Sequence, residues 1–324
     1  MRSIELFEKA RSLFLQKRFL EARELIEVYR KIVRYEDIAR HDHRDGGAVS
    51  ATAVVVSFKT GPALFDCLDS LLNQNRRDFE IILVDNGGNQ ELLSRLAHYP
   101  LLHVFSAANL LPSEGRNIGA HFARSGNLLF LDDDSLIHPS FVDNAIQALK
   151  DRDLPVLRGR VLPKSSGQAA NMPFHYDLGP YPLPAVLSTE GNMAVQKDVF
   201  DRVGGFDPLL FGCEGIELNH RCIINFPGRY VSYCPGMVIY HDFASGDRLQ
   251  AKKKRQALTG AYLKRLYPGA NLLLHSYVNW YRSRPAESIK ITLKVIGEAI
   301  KSPMSRKRLL FSRLTRLISE SCRL

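Results

Sequence analysis

Four short apolar runs separated by helical stretches set the fold class of this chain: Thr52–Phe58, Glu80–Val84, Leu101–Phe105 and Asn127–Leu131. Each run is continuously apolar rather than alternating, so a strand built from it needs cover on both faces. Helical patterns lie between them, as at Ala63–Gln74 and Asn117–Arg124. Strands alternating with helices in this way predict an α/β fold with a mostly parallel central sheet. Ligands of such sheets collect beyond the carboxyl ends of the strands, so chemistry is expected just after each run.

Two helices are expected before the first strand, within residues 3–39. Leu6, Ala10, Leu13 and Phe14 share one face, and Phe19, Ala22, Ile26, Tyr29 and Val33 share another, with Lys17 and Arg18 at the turn. One such hairpin cannot enclose a core, so it must pack on the main domain or on a partner. His41–Ser50 is polar and Gly-rich and reads as a linker. Residues 154–243 are mixed: Gly179–Pro184 reads as an irregular loop, and Arg229–His241 as two short strands parted by Pro235 and Gly236. The predicted division is a hairpin at 1–45, a main α/β domain at 50–245 with a change of character near 150, and a basic helical region at 246–324.

The charge is uneven. From Arg248 to Leu324 the chain carries 18 Lys and Arg against 3 Asp and Glu, whereas the rest is net acidic. This points to a local partner surface for the last quarter. Two apolar stripes there, one through Ile289, Leu293, Ile296 and Ile300 and one through Leu310, Leu314, Leu317 and Ile318, suit a helix lying on anionic lipid. The five cysteines are scattered, with no CxxC pair, as expected for reduced thiols. No signal-peptide pattern and no run of 18 apolar residues is present, which predicts a cytoplasmic protein in contact at most with the inner membrane face.

Leu128–Ser135 carries the strongest chemical signal. An apolar strand runs into Asp132, Asp133 and Asp134, an arrangement that costs energy unless a cation neutralises it. Mg²⁺ and Mn²⁺ favour such oxygen ligands together with substrate phosphates. Asp132 and Asp134 lie on the same side of an extended chain. Asp85 follows another strand and can accept hydrogen bonds from a base or ribose. Ser113–Gly119 (SEGRNIG) reads as the approach to a helix, where Arg116 and backbone N–H groups suit an anion. On a helix, Glu214, Glu217 and Arg221 share a face. His241 closes a strand.

Taken in order, VVVSFKTG, EIILVDNGGN, GRNIGA, LLFLDDDSLIHPSF, GNMAVQKDVFDRVGGFD, CEGIELNHR and VIYH resemble the family-two glycosyltransferases over about residues 52–243. The resemblance implies a GT-A type nucleotide-binding fold. It implies that Val56, Ser57 and Phe58 frame the base and that Asp85 contacts it. Asp132 and Asp134 match the metal-binding DxD motif, with Asp133 between them and His241 near the metal. Arg116 and Asn117 match the segment approaching the donor, and Arg221 is a candidate clamp for the diphosphate. Gly191, Asn192 and Met193 match the acceptor side. Glu214 matches the first position of the ED motif that supplies the catalytic base. The second position is Gly215, so Glu214 or Glu217 has to stand in. Lys59 departs from the neutral residue usual near the donor.

The function implied is inverting, metal-dependent transfer from a nucleotide-diphosphate sugar, UDP-linked, to an acceptor hydroxyl, in bacterial surface polysaccharide or glycoconjugate synthesis. Mn²⁺ or Mg²⁺ is the expected cofactor. The expected partners are the donor, a saccharide or lipid-linked acceptor, an anionic membrane and other copies of the chain, but not nucleic acid. Gly215 motivates one alternative, a silent nucleotide-sugar-binding scaffold. Lys252, Lys253, Lys254 and Arg255 motivate another, a nucleic-acid binder, but no recognition motif accompanies them.

Overall fold

The computed structural model describes residues 2–58, 61–87, 94–152, 154–270 and 272. Lys59 and the two C-terminal apolar stripes lie outside the described residues. Among the described residues no helix is long and apolar enough to cross a membrane.

The chain opens with helices α1 (Arg2–Leu15) and α2 (Phe19–Ile32), reversed at Lys17, which takes a positive φ of 63°. The sheet strands are β1 (Arg40–Asp42), β2 (Ala51–Ser57), β3 (Phe79–Asn86), β4 (Leu101–Ser106), β5 (Asn127–Asp132), β6 (Leu136–Ile137), β7 (Val156–Pro163), β8 (Leu183–Pro184), β9 (Asn192–Gln196) and β10 (Ser232–His241). Between them run α3 (Ala63–Leu72), α4 (Leu111–His121), α5 (Phe141–Lys150), α6 (Lys197–Arg202) and α7 (Glu214–Asn225), and α8 (Gly246–Leu266) follows the last strand. The order across the sheet is β1-β4-β3-β2-β5-β9-β7-β10-β6, with β8 paired to β10. Strands β4, β3, β2 and β5 are mutually parallel, and β9 runs antiparallel to both β5 and β7.

Both sheet faces are covered, as continuous apolar strands require. Leu64, Leu68 and Leu71 of α3 and Phe141, Ala145 and Leu149 of α5 pack on one face. The other face buries Ile118 of α4 and Leu218 and Cys222 of α7. The N-terminal hairpin belongs to this second core: Phe7, Ala10, Phe14, Ala22, Ile26 and Tyr29 join it together with Tyr262 and Leu263 of α8. Each fully buried Leu, Ile or Phe side chain among them contributes roughly 1.5–3 kcal/mol. Polar ties add to the packing. Tyr29 and Tyr35 donate to Glu114 Oε1 at 2.6 and 2.7 Å, and Arg23 and Tyr262 meet at Asp207 Oδ2. The hairpin therefore packs on the main domain.

Four local expectations are corrected. The linker 41–50 begins inside β1, which pairs antiparallel with β4, and Arg44 just beyond the strand is tied to Glu80 of β3. Helix α4 starts at Leu111, well before Asn117, since Asn86 braces its start by accepting from the Leu110 N–H and donating to the Leu111 carbonyl. The two strands expected at 229–241 are one strand, β10. An irregular register between Tyr233 and Val238 absorbs Pro235, and Asn144 donates to the Gly236 carbonyl there. The loop expected at 179–184 ends in the short strand β8.

Candidate active site

Three parallel strands end side by side with polar residues. Ser57 of β2 is in register with Asp85 of β3, and Val56 with Asp132 of β5. The antiparallel return of β9 pairs Asn192 with Leu131, which brings Gly191 to the same end of β5. Residues far apart in sequence thus meet at the carboxyl edge of the sheet, where α/β sheets bind ligands. Asp85 is buried, with its Oδ2 3.8 Å from His103 Nε2. Phe58 is exposed beside Gly87, where any Cβ would come within 2.7 Å of the Phe58 ring.

A ring of charge surrounds Asp132. Arg116, buried in the middle of α4, reaches Asp132 Oδ1 through Nη2 at 2.7 Å and Glu214 Oε1 through Nη1 at 3.0 Å. Burial works against the guanidinium charge, but Asp132, Glu214 and Glu190 together raise its pKa above the ordinary value. Glu214 opens α7, and its second oxygen accepts the Gly212 N–H at 2.5 Å. The next residue, Gly215, donates its N–H to Glu190 Oε1 at 2.8 Å. Glu190 precedes Gly191, and Gly191 lies directly against the carboxylate of Asp132: a Cβ there would stand 2.0 Å from Oδ2. The chain of contacts closes on itself through Asp132, Arg116, Glu214, Gly215, Glu190 and Gly191.

A second acidic corner lies beside the first. His241, the last residue of β10, holds Asp134 through Nε2 at 3.1 Å. Burial opposes the charge on Asp134, but the bond and charge of His241 keep its carboxyl below the ordinary range. Burial likewise opposes charge on His241, but Asp134 and then Asp132 raise its imidazole above the ordinary value. His241 Nδ1 is buried without a hydrogen-bond partner. The side chains of Asp132 and Asp134 are 42% and 52% exposed, so both carboxylates remain open to a ligand. Two carboxylates and an imidazole suit Mn²⁺ or Mg²⁺, although among the described residues no three such side chains are already gathered into a metal-holding group.

Several predicted site residues are engaged elsewhere. Arg116 belongs to the site but projects from mid-helix, not from a helix start. Asn117 exchanges hydrogen bonds with Phe206 and donates to Glu114, fixing the turn at 205–207. Glu217 is fully buried, bonded by both Nε and Nη2 of Arg221 and by the Tyr267 hydroxyl at 2.6 Å, while Arg221 also donates to the Val203 carbonyl. This pair locks α7 to its neighbours. Glu217 and Arg221 thus spend their polar atoms on each other, on Tyr267 and on the Val203 carbonyl, away from Asp132. Val56 packs against Gly115 and Met193 is wholly buried, so both shape the core under the site. Asn192 donates to the carbonyls of Arg160 and Met237. Asp133 is partly exposed between the two candidate metal ligands. Glu190 was not among the predicted residues. Its only signal was indirect: an acid beside Gly191, and a glycine at 215 where a side chain was expected.

Residues 52–209 match the family described as "Glycosyl transferase family 2". An uncharacterized glycosyltransferase of Haemophilus influenzae is 28% identical over 168 residues, 48% of this chain and 55% of that protein. Glycosyltransferase GlyG of Streptococcus pneumoniae is 23% identical over 115 residues, 33% of this chain and 38% of that protein. The chain thus spans about half or less of the curated relatives it matches. The mannosyltransferase PcManGT of Pyrobaculum calidifontis, solved with GDP-Man and Mn²⁺, superposes with a TM-score of 0.56 at 14% identity, covering 98% of this chain and 91% of that one. That likeness shows a GT-A type fold. Most of the sheet, with its strand-end carboxylates, thus lies in a region, residues 52–209, that is similar to the glycosyl transferase family 2 model, on a GT-A type fold.

Proposed function

We propose that this protein transfers a glycosyl group from a nucleotide-diphosphate sugar to an acceptor hydroxyl, in one displacement that inverts the anomeric carbon. The observation that carries this reading is the convergence of Asp85, Asp132 and the Arg116 cluster on the carboxyl edge of β3 and β5. Asp85 has the acceptor chemistry to meet a base N–H or a ribose hydroxyl. Asp132 and Asp134, with His241, are the residues that would hold a divalent ion. When bound, that ion supplies Lewis-acid neutralisation of the departing diphosphate.

The chain's own groups do the rest. Arg116 fixes the Asp132 carboxylate in place before any ligand arrives, so no ordering is needed at the moment of reaction. Gly191 allows that carboxylate to sit flush against the β9 backbone. A carboxylate takes the proton of the attacking hydroxyl. Glu214, the candidate from the motif, has both oxygens bonded, one to Arg116 and one to Gly212, and serves to hold Arg116. A UDP-linked donor follows from the family resemblance, and the GDP-Man bound by the archaeal mannosyltransferase makes GDP-sugars the second class to try. The exposed basic run at 253–255, continued by the basic composition of the tail, supports a lipid-linked acceptor at an anionic membrane.

The test is a screen of UDP-, GDP- and dTDP-sugars for nucleotide release, with Mn²⁺ and with EDTA. Metal-dependent release from at least one donor is expected. Binding of a donor with no turnover under any condition would favour the silent scaffold that Gly215 first suggested.

A further inference from the structure

Gly215 removes the carboxylate expected at the second position of the ED motif, and the space above it is filled by another. A Cβ on Gly215 would stand 2.9 Å from Glu190 Oε1 and 3.0 Å from Glu190 Cγ. Glu190 comes from the loop before β9, not from α7, and reaches the first turn of that helix from outside. Its carboxylate accepts the Gly215 N–H and lies against its own backbone N–H, and among the described residues no side-chain donor bonds it. Glu190 is partly exposed, whereas Glu214 is buried. The groups that face it are Arg116 from α4, Glu214 and Cys213 at the start of α7, and Tyr176, which carries Lys252 above its ring.

We infer that Glu190 is the catalytic base of this enzyme, a carboxylate supplied by the β9 loop in place of the one absent at position 215. The assignment rests on the transferase reading given above. In the step, the acceptor O–H bond breaks and its proton passes to Glu190. The acceptor oxygen uses the freed electron pair to form the bond to the sugar's anomeric carbon. The bond from that carbon to the diphosphate oxygen breaks, and its electrons leave with the nucleoside diphosphate. Glu190 then returns the proton to water.

The electrostatics agree with the role. Burial, and then the charge of Glu214, raise the Glu190 carboxyl to about 7, against the lowering pull of Arg116 and the two backbone N–H groups. A carboxylate serving only to cap α7 would be held low by the helix N-terminus. One poised near neutrality can both take and release a proton at working pH.

The experiment uses the full chain, Mn²⁺ and the nucleotide sugar with the fastest wild-type hydrolysis in the donor screen, with water as acceptor. Glu190→Gln keeps an oxygen for the Gly215 N–H. It is expected to bind the donor within about threefold of wild type by calorimetry and to lose about 100-fold or more in hydrolysis rate. With Mn²⁺ saturating at every pH, which removes the metal-binding dependence through His241, the wild-type kcat/KM profile is expected to rise with pH to a plateau with a midpoint near 7, and that rise is absent in any residual Glu190→Gln activity. A Glu190→Gln rate within about threefold of wild type overturns the assignment. So does a wild-type profile flat between about pH 5 and 8, a measurement that needs no variant. A wild type that binds no sugar nucleotide overturns the transferase reading and takes this assignment with it. Turnover indifferent to Glu190→Gln overturns this assignment alone.

Discussion

Gly191 and Asp132 are in direct contact: no side chain could be added to Gly191 without meeting the Asp132 carboxylate, whose Oδ2 lies 2.0 Å from the position of a Cβ. The contact explains how a half-exposed acid at a strand end is held in one orientation. Gly191 forms one wall and the guanidinium of Arg116 the other. Gly191→Ala is therefore expected to push the carboxylate off Arg116 and weaken Mn²⁺-dependent donor binding at least about tenfold. The overpacking cost is about 1–3 kcal/mol. Calorimetric donor titration together with thermal melting separates the two effects.

Among the described residues, Arg116 is the only side chain that bonds both Asp132 and Glu214. Arg116→Met leaves the Glu214 carboxylate buried without its counter-charge and is expected to cost about 3–5 kcal/mol of stability. Arg116→Lys is expected to fold but lose donor affinity, because one ammonium cannot serve both carboxylates in the geometry of a planar fork. Urea unfolding and donor titration of both variants check this.

The hairpin is part of the domain's core, and its polar ties converge on α4 through Glu114. Removing the two hydroxyls with Tyr29→Phe and Tyr35→Phe leaves Glu114 buried with only its bond from Asn117. The double variant is expected to lose about 1.5–3 kcal/mol per bond to the charged group. Unfolding should stay a single transition when followed by near-UV and far-UV circular dichroism. A separate early transition for the hairpin would contradict the shared core.

Metal affinity should depend on pH through His241. Burial opposes the imidazole's charge, but Asp134 raises its pKa above the ordinary value, and a metal ligand must be neutral. The sign is fixed by the two shifts. The raised His241 pKa means that the pair's stabilisation is present at low pH and lost as pH rises through the folded His241 value. The lowered Asp134 pKa means that it is also lost as pH falls through the folded Asp134 value. Mn²⁺ binding competes with the pair inside that window. Mn²⁺ is thus expected to bind more weakly at about pH 5.5 than at about pH 8. His241→Gln should flatten the dependence in a calorimetric series.

Much of this was legible in the sequence, for reasons that differ from residue to residue. Asp85 and Asp132 could be read because a continuous apolar strand ending in an acid is a local pattern, and parallel-sheet geometry says where strand ends go. Glu217 and Arg221 could be read as partners from their spacing of four. Which way the pair faces depends on Tyr267 and Val203, which no periodicity points to. The start of α4 was placed too late because its brace, Asn86, lies 25 residues upstream of Leu111. Glu190 was missed altogether. A single glutamate before Gly191 has no pattern of its own, and its meaning comes from a contact with Gly215, 25 residues away.

The central claim is that the Asp132 cluster seats a metal-bound sugar nucleotide, and Asp132→Asn tests it most directly. The substitution keeps size and hydrogen-bonding reach while removing the charge. Donor titration in the presence of Mn²⁺ is expected to show wild-type binding reduced about 100-fold or more in Asp132→Asn, with the melting temperature little changed because this carboxylate is partly exposed. Equal donor affinity in the two proteins would contradict the account.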